Sequence, residues 1–97
     1  MFAVIRTYED EVPEIVVEVG KRAEALRDVM RGLDGFVAYY LVDLGDGRVT
    51  TIGVFDTRSG AEESTRSAGR WLHETGLAAL VPNPPTITLG EVVLDAR

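Results

Sequence analysis

The sequence predicts an α+β fold in which four strands of one antiparallel sheet and two helices follow the chain order βαββαβ. Three observations carry this. Short runs of strand-forming residues alternate with two segments whose apolar residues recur at helical spacing. An Asp-Gly pair separates the second and third of those runs, as in a tight hairpin. The 97 residues leave room for one domain, 1–97, and no more.

Phe2 to Tyr8 is a run of strand formers closed by the acidic trio Glu9, Asp10 and Glu11. Pro13 then stands where the first turn of a helix tolerates proline, and the acids complement the positive end of its dipole. From Val12 to Leu33 the apolar residues, among them Ile15, Val19, Leu26 and Met30, fall on one stripe at about 100° per residue. Gly32 or Gly35 ends that helix. Phe36 to Leu44 and Arg48 to Asp56 are the next strands. With Asp46-Gly47 as a two-residue turn, Leu44 pairs with Val49, Leu41 with Ile52, Tyr40 with Gly53 and Tyr39 with Val54.

A second helix begins near Asp56-Thr57 or at Ser59, whose spacing to Glu62 suits a capping box. It runs to Thr75, and Gly76 interrupts it before the short segment Leu77 to Leu80. Pro82-Asn83-Pro84-Pro85 cannot be helical and makes a stiff connection to the last strand, Thr86 to Leu94. This order is the ferredoxin-like pattern.

Composition narrows the function classes. Ten basic against 16 acidic residues give a net charge of −6, which repels phosphate backbones, so nucleic acid is not an expected partner. Only Lys21 of the basic residues is lysine, a usage typical of high-GC bacterial coding. The absence of cysteine removes disulfides and thiolate metal sites, and a single histidine leaves no transition-metal ligand set. No apolar run approaches the roughly 20 residues that span a bilayer. Met1 to Ile5 lacks a basic leader and reads as a first strand rather than a signal peptide. A cytoplasmic protein without membrane, metal or cofactor is the expectation.

The strands do not alternate apolar with polar, as a sheet with one wet face should. Phe36, Ala38, Tyr40, Val42 and Leu44 point one way, while Val37, Tyr39 and Leu41 point the other. In the last strand Val92 and Leu94 oppose Ile87, Leu89 and Val93. Two helices cover one face only, so the other would expose an apolar patch beyond what a monomer usually carries. A homodimer packed through that sheet face is the simplest remedy.

Several phrases act together: Gly35-Phe36-Val37-Ala38-Tyr39-Tyr40-Leu41, the turn Gly45-Asp46-Gly47, and Val54-Phe55-Asp56 leading into Ala61-Glu62-Glu63-Ser64. Ala68 with Trp71, and Pro82-Asn83-Pro84-Pro85 before a final strand, complete the set. Over essentially the whole chain they resemble the antibiotic-biosynthesis-monooxygenase-like branch of the dimeric α+β barrel proteins. The resemblance implies two sheets packed into a barrel across a dimer interface, helices outside, and a small-molecule pocket between sheet and helices. Activities in such relatives include cofactor-independent oxidation of aromatic polyketides, haem degradation, and isomerase or lyase steps, and fold alone does not choose among them.

The second helix is the most informative element. Its inward stripe is Ala61, Ser64, Ala68, Trp71, Leu72 and Thr75, small and partly polar around one large aromatic. Small residues can leave a cavity and Trp71 can stack on a flat ligand; the plain alternative is close packing with Trp71 as a core anchor. His73 is the obvious general base by chemistry. On the wheel it shares the solvated face of Glu62, Arg66, Arg70 and Glu74, which argues against that role. The haem-degrading relatives use an Asn on the first strand and a Trp early on the second helix. Here Arg6 or Thr7, and Ser64, occupy those places, and His73 falls near the position of the His those relatives carry later on that helix but on the wrong face, which argues against haem.

Arg6 is a charge inside an apolar strand, so it either holds an anionic ligand oxygen or pairs with Asp43, Asp56 or Glu91. Tyr39 and Tyr40 point to opposite faces, so only one of them can reach a helix-side pocket. The pocket candidates are therefore Arg6, Tyr39, Tyr40, Ser64, Ala68 and Trp71, with no nucleophile–base constellation among them. The expected function is binding of a small apolar or aromatic molecule. Its enzymatic form is a cofactor-independent monooxygenase for a quinol- or anthrone-like ring, and its alternative a non-catalytic ligand-binding or interaction domain.

Overall fold

The computed structural model describes residues 1–97. In chain order the elements are β1 (Phe2–Tyr8), α1 (Ile15–Lys21), α2 (Ala23–Arg31), β2 (Phe36–Gly45), β3 (Arg48–Phe55), α3 (Arg58–Glu74), a 3-10 turn (Leu77–Leu80) and β4 (Thr86–Glu91). The sheet runs β2-β3-β1-β4 with every neighbouring pair antiparallel, which is the ferredoxin-like arrangement. No helix is long and apolar enough to cross a membrane.

The first helical stretch is broken, where the sequence pattern predicts one continuous helix. At Arg22 the backbone leaves the helical region (φ −116°, ψ 22°) between α1 and α2. Gly20, a poor helix former, lies two residues ahead, and Arg22 closes the corner by donating to the Glu18 carbonyl and carboxylate, both at 3.2 Å. Helical structure also starts late, at Ile15. The acidic trio therefore does not serve as a helix-dipole complement, and Glu11 turns inward instead. At α3 the cap is Thr57, whose Oγ1 accepts from the Gly60 N–H at 3.1 Å; Ser59 lies inside the helix. β4 stops at Glu91, short of Leu94, because its partner β1 begins at Phe2. One last bond, from the Val92 N–H to the Met1 carbonyl (2.9 Å), ends the ladder.

The hairpin closes as expected, with Gly45 opposite Arg48 around Asp46-Gly47. The pairs beyond it are shifted by one from the expected register: Asp43 faces Val49, Leu41 faces Thr51, Tyr40 faces Ile52 and Tyr39 faces Gly53. The Asp43 carboxylate accepts from the Gly45 N–H at 2.8 Å, which leaves Leu44 as the extra residue of a bulge. A second irregularity between Phe36 and Ala38 returns Phe36 to the side of Tyr39. There its ring meets Phe55 edge-on at 6.0 Å.

Register converts these pairings into rows across the sheet. On the helix side lie Tyr39–Gly53–Val4–Leu89 and Leu41–Thr51–Arg6–Ile87, flanked by Val49 beside Tyr8. On the other side lie Tyr40–Ile52–Ile5–Thr88 and Val42–Thr50–Thr7–Thr86. The core sits on the helix side. Ile15 and Val19 of α1, Leu26 and Met30 of α2, Ala68 and Trp71 of α3, Leu77 and Val49 form one buried cluster, and Val4, Phe55 and Ala61 form a second. The opposite face stays open, with Ile5, Tyr40 and Val42 exposed on it.

Candidate functional site

Between the helix-side rows and the helices lies a cavity of ≈ 50 Å³. Tyr8, Tyr39, Leu41, Val49 and Thr51 supply its sheet wall. Ala68, Trp71 and Leu72 of α3 face them, and α1 and α2 close it with Ile15, Val19 and Leu26. Val81 and Glu11 complete the lining from the connecting segments. Apart from the two tyrosines and the indole, Thr51 and Glu11 are its only polar residues. An apolar cavity of about 150 Å³ holds a benzene. The space present thus admits part of one ring, and the half-buried Leu72 and Val81 must yield to seat the rest.

The sequence candidates divide in three. Tyr39, Ala68 and Trp71 line the cavity together. Tyr40 does not: period-two alternation puts it on the opposite face, 59% exposed, where it borders a separate cleft of ≈ 220 Å³ with Val54, Leu94 and Arg97. Arg6 and Ser64 sit beside the cavity as a strut between sheet and α3. Arg6, 1% exposed, donates from Nε to Thr51 Oγ1 (3.1 Å) and from Nη1 to Ser64 Oγ (3.3 Å) and Thr65 Oγ1 (2.9 Å). None of the carboxylates Asp43, Asp56 or Glu91 pairs with it, because hydroxyls from β3 and α3 reach it first; its Nη2 has no partner. Ser64 Oγ in turn donates to the Ala61 carbonyl at 2.6 Å. His73 is exposed on the far side of α3, where Arg66 and Arg70 pair with Glu63.

Two further residues emerge only from the fold. Tyr8 stands at the cavity wall, where burial pushes its phenol above the ordinary value; Arg6 opposes that shift, and Tyr39 and Glu11 add to it. Glu11, 5% exposed, is the cavity's one carboxylate. Its N–H donates to the Gly47 carbonyl (3.1 Å), its Oε1 accepts from the Asn83 N–H (2.9 Å), and its Oε2 has no partner. Asn83 also donates from Nδ2 to the Asp10 carbonyl at 2.9 Å, and Asp10 holds the uncommon φ of 56°. A place in an acidic trio carries no sign of burial, since the β2–β3 turn and the proline-rich segment that bury Glu11 are remote in sequence. Thr51 likewise enters only with the observed register, which sets it between Leu41 and Arg6 where the expected pairing sets Ile52 opposite Leu41. No group of three or more His, Asp or Glu is placed to hold a metal ion.

Fold and cavity together define a class, an α+β ferredoxin-like protein with an apolar pocket between sheet and helices. It has the fold of solved antibiotic biosynthesis monooxygenases, to which it is 15–22% identical. NE2512 from Nitrosomonas europaea, a protein of unknown function, superposes with a TM-score of 0.76 at 16% identity, over 99% of this chain and 92% of its own. SnoaB from Streptomyces nogalater, a cofactor-independent oxygenase, matches with 0.64 at 20% identity, over 97% and 93%. The monooxygenase ActVA-Orf6 of Streptomyces coelicolor, solved with nanaomycin D, matches with 0.66 at 16% identity, over 98% and 92%. No family profile and no curated protein matches the chain by sequence.

Proposed function

We propose that this chain binds one small aromatic molecule in the helix-side cavity, as half of a homodimer joined through the open sheet face. The observation that carries the reading is the apolar cavity framed by Trp71 and Tyr39, with few polar groups to orient a ring. The exposed Tyr40, Ile5 and Val42, set among threonines on the uncovered sheet face, support the dimer, since such a patch invites a partner copy.

The enzymatic form of this reading is cofactor-independent monooxygenation, the activity described for SnoaB. A quinol suits it chemically because the substrate supplies every electron. One atom of O2 becomes a ring hydroxyl, the other leaves as water, and the quinol reaches the quinone level. The cavity size favours a single ring over an anthrone. The position of His73, outside the cavity, favours the alternative of binding without turnover. A thermal-shift panel of hydroquinones and anthrones, followed by oxygen-consumption assays without added metal or flavin, separates the two. Ligand at a hundredfold excess over Kd should add about 2.7 kcal/mol, roughly 10–20 °C for a chain this small. A flat panel refutes the pocket reading; binding without oxygen uptake leaves the non-catalytic one. Light scattering should give twice the 10.6 kDa chain mass, and a monomer at micromolar concentration refutes the dimer.

A further inference from the structure

We propose that Glu11 reads a hydrogen-bond donor on the bound ring, so that the cavity selects a hydroxyl-bearing aromatic over its ether and over its carbonyl form. The inference rests on the cavity-binding reading above and extends it to the ligand's functional group. Glu11 is 95% removed from solvent by its 5% exposure, lines the cavity, and leaves Oε2 without a partner among the protein's atoms. An unpaired buried carboxylate oxygen is costly unless something donates to it. None of the donors in the lining, Tyr8, Tyr39, Thr51 or Trp71, bonds to it, and a phenolic O–H would.

The geometry keeps this oxygen in place. The Asn83 N–H holds Oε1, the Gly47 carbonyl holds the Glu11 N–H, and Gly47 packs so closely that a Cβ there would lie 2.4 Å from the Glu11 carbonyl oxygen. A carboxylate held at Oε1 and at its own backbone keeps Oε2 beside the cavity, so a ring seated by displacement of Leu72 and Val81 meets an anchored acceptor. The same anchoring dictates what Glu11→Gln does. The Asn83 N–H requires an acceptor, so the amide oxygen takes the Oε1 place and the amide NH2 takes that of Oε2. The substitution turns an acceptor in the cavity into a donor.

The test measures binding of hydroquinone, 1,4-dimethoxybenzene and 1,4-benzoquinone by quenching of Trp71, the sole tryptophan, which lines the cavity. The wild type should bind hydroquinone roughly ten- to a hundredfold more tightly than the dimethyl ether, the span of a hydrogen bond to a charged group. Glu11→Gln should reverse the order and prefer the quinone. Equal wild-type affinity for quinol and ether overturns the role of Glu11 while leaving the cavity reading intact. An unchanged order of preference in Glu11→Gln overturns it likewise. Failure of all three to bind the wild type overturns the cavity reading and this inference with it.

Discussion

Replacing Gly47 by alanine should cost far more than replacing Gly45, although both glycines belong to the same hairpin turn and share the left-handed region, at φ 76° and 83°. The shared part is the cost of a Cβ at positive φ, about 1–2 kcal/mol, offset by about 0.4–1 kcal/mol from a stiffer unfolded chain. It cancels in the comparison. At Gly45 the new methyl enters open space, whereas at Gly47 it would stand 2.4 Å from the carbonyl oxygen of Glu11. Both sides of that contact are backbone, so no rotamer change relieves it. The turn must separate from the Glu11 segment, losing the 3.1 Å bond between them, a net ~0.5–1.5 kcal/mol. The Asn83 bond to the Glu11 carboxylate goes with it if the segment moves, a further ~1.5–3 kcal/mol. The two variants should therefore differ by about 2–4 kcal/mol, or roughly 10–30 °C in Tm. Urea unfolding of wild type, Gly45→Ala and Gly47→Ala, with unchanged m values, reads the difference directly. Equal losses in the two variants would show that the turn does not brace Glu11.

Trp71→Ala should lose about 3–5 kcal/mol by circular-dichroism-monitored unfolding, since the indole is 6% exposed within the main core cluster. Trp71→Phe should retain most of that, and a loss below about 1 kcal/mol for Trp71→Ala would remove the indole from the core. For Tyr8, folding raises the phenol above 10.0, so the neutral form is favoured in the folded state. Its contribution is fully present below the unfolded value and is lost as pH rises through the higher folded one. Wild type should thus lose stability relative to Tyr8→Phe above about pH 10, and parallel pH–stability curves would refute a buried phenol at this wall.

The element order, the Asp46-Gly47 turn and the inward stripe of α3 were legible because each depends on short-range rules: periodicity, turn chemistry and capping residues. The stripe predicted from spacing includes Ala61, Ser64, Ala68 and Trp71, all buried in the structure. The spacing predicts a single first helix because Gly20 weighs little in a pattern that otherwise runs unbroken, while the structure turns a corner at Arg22 through contacts to Glu18.

Faces were harder than elements. Alternation sets the two tyrosines of β2 on opposite faces, but two bulges each shift the strand by one residue and reassign its partners. Only the ladder shows that Tyr39 meets the helices and that Tyr40 looks away. Local pattern and composition thus suffice for the βαββαβ order and for the exclusion of cysteine chemistry. The apolar second face that they predict is diluted: Tyr40, Ile52, Ile5 and Val42 lie among threonines, Phe36 turns to the helix side, and Val92 and Leu94 lie beyond β4. What the tertiary structure alone decided is the site. Hydroxyls rather than a carboxylate partner Arg6 at Nε and Nη1, and Glu11 lines the cavity because Gly47 and Asn83, 36 and 72 residues away, close around it. Burial of a polar group depends on which distant backbone groups arrive to partner it, and local patterning does not encode that meeting.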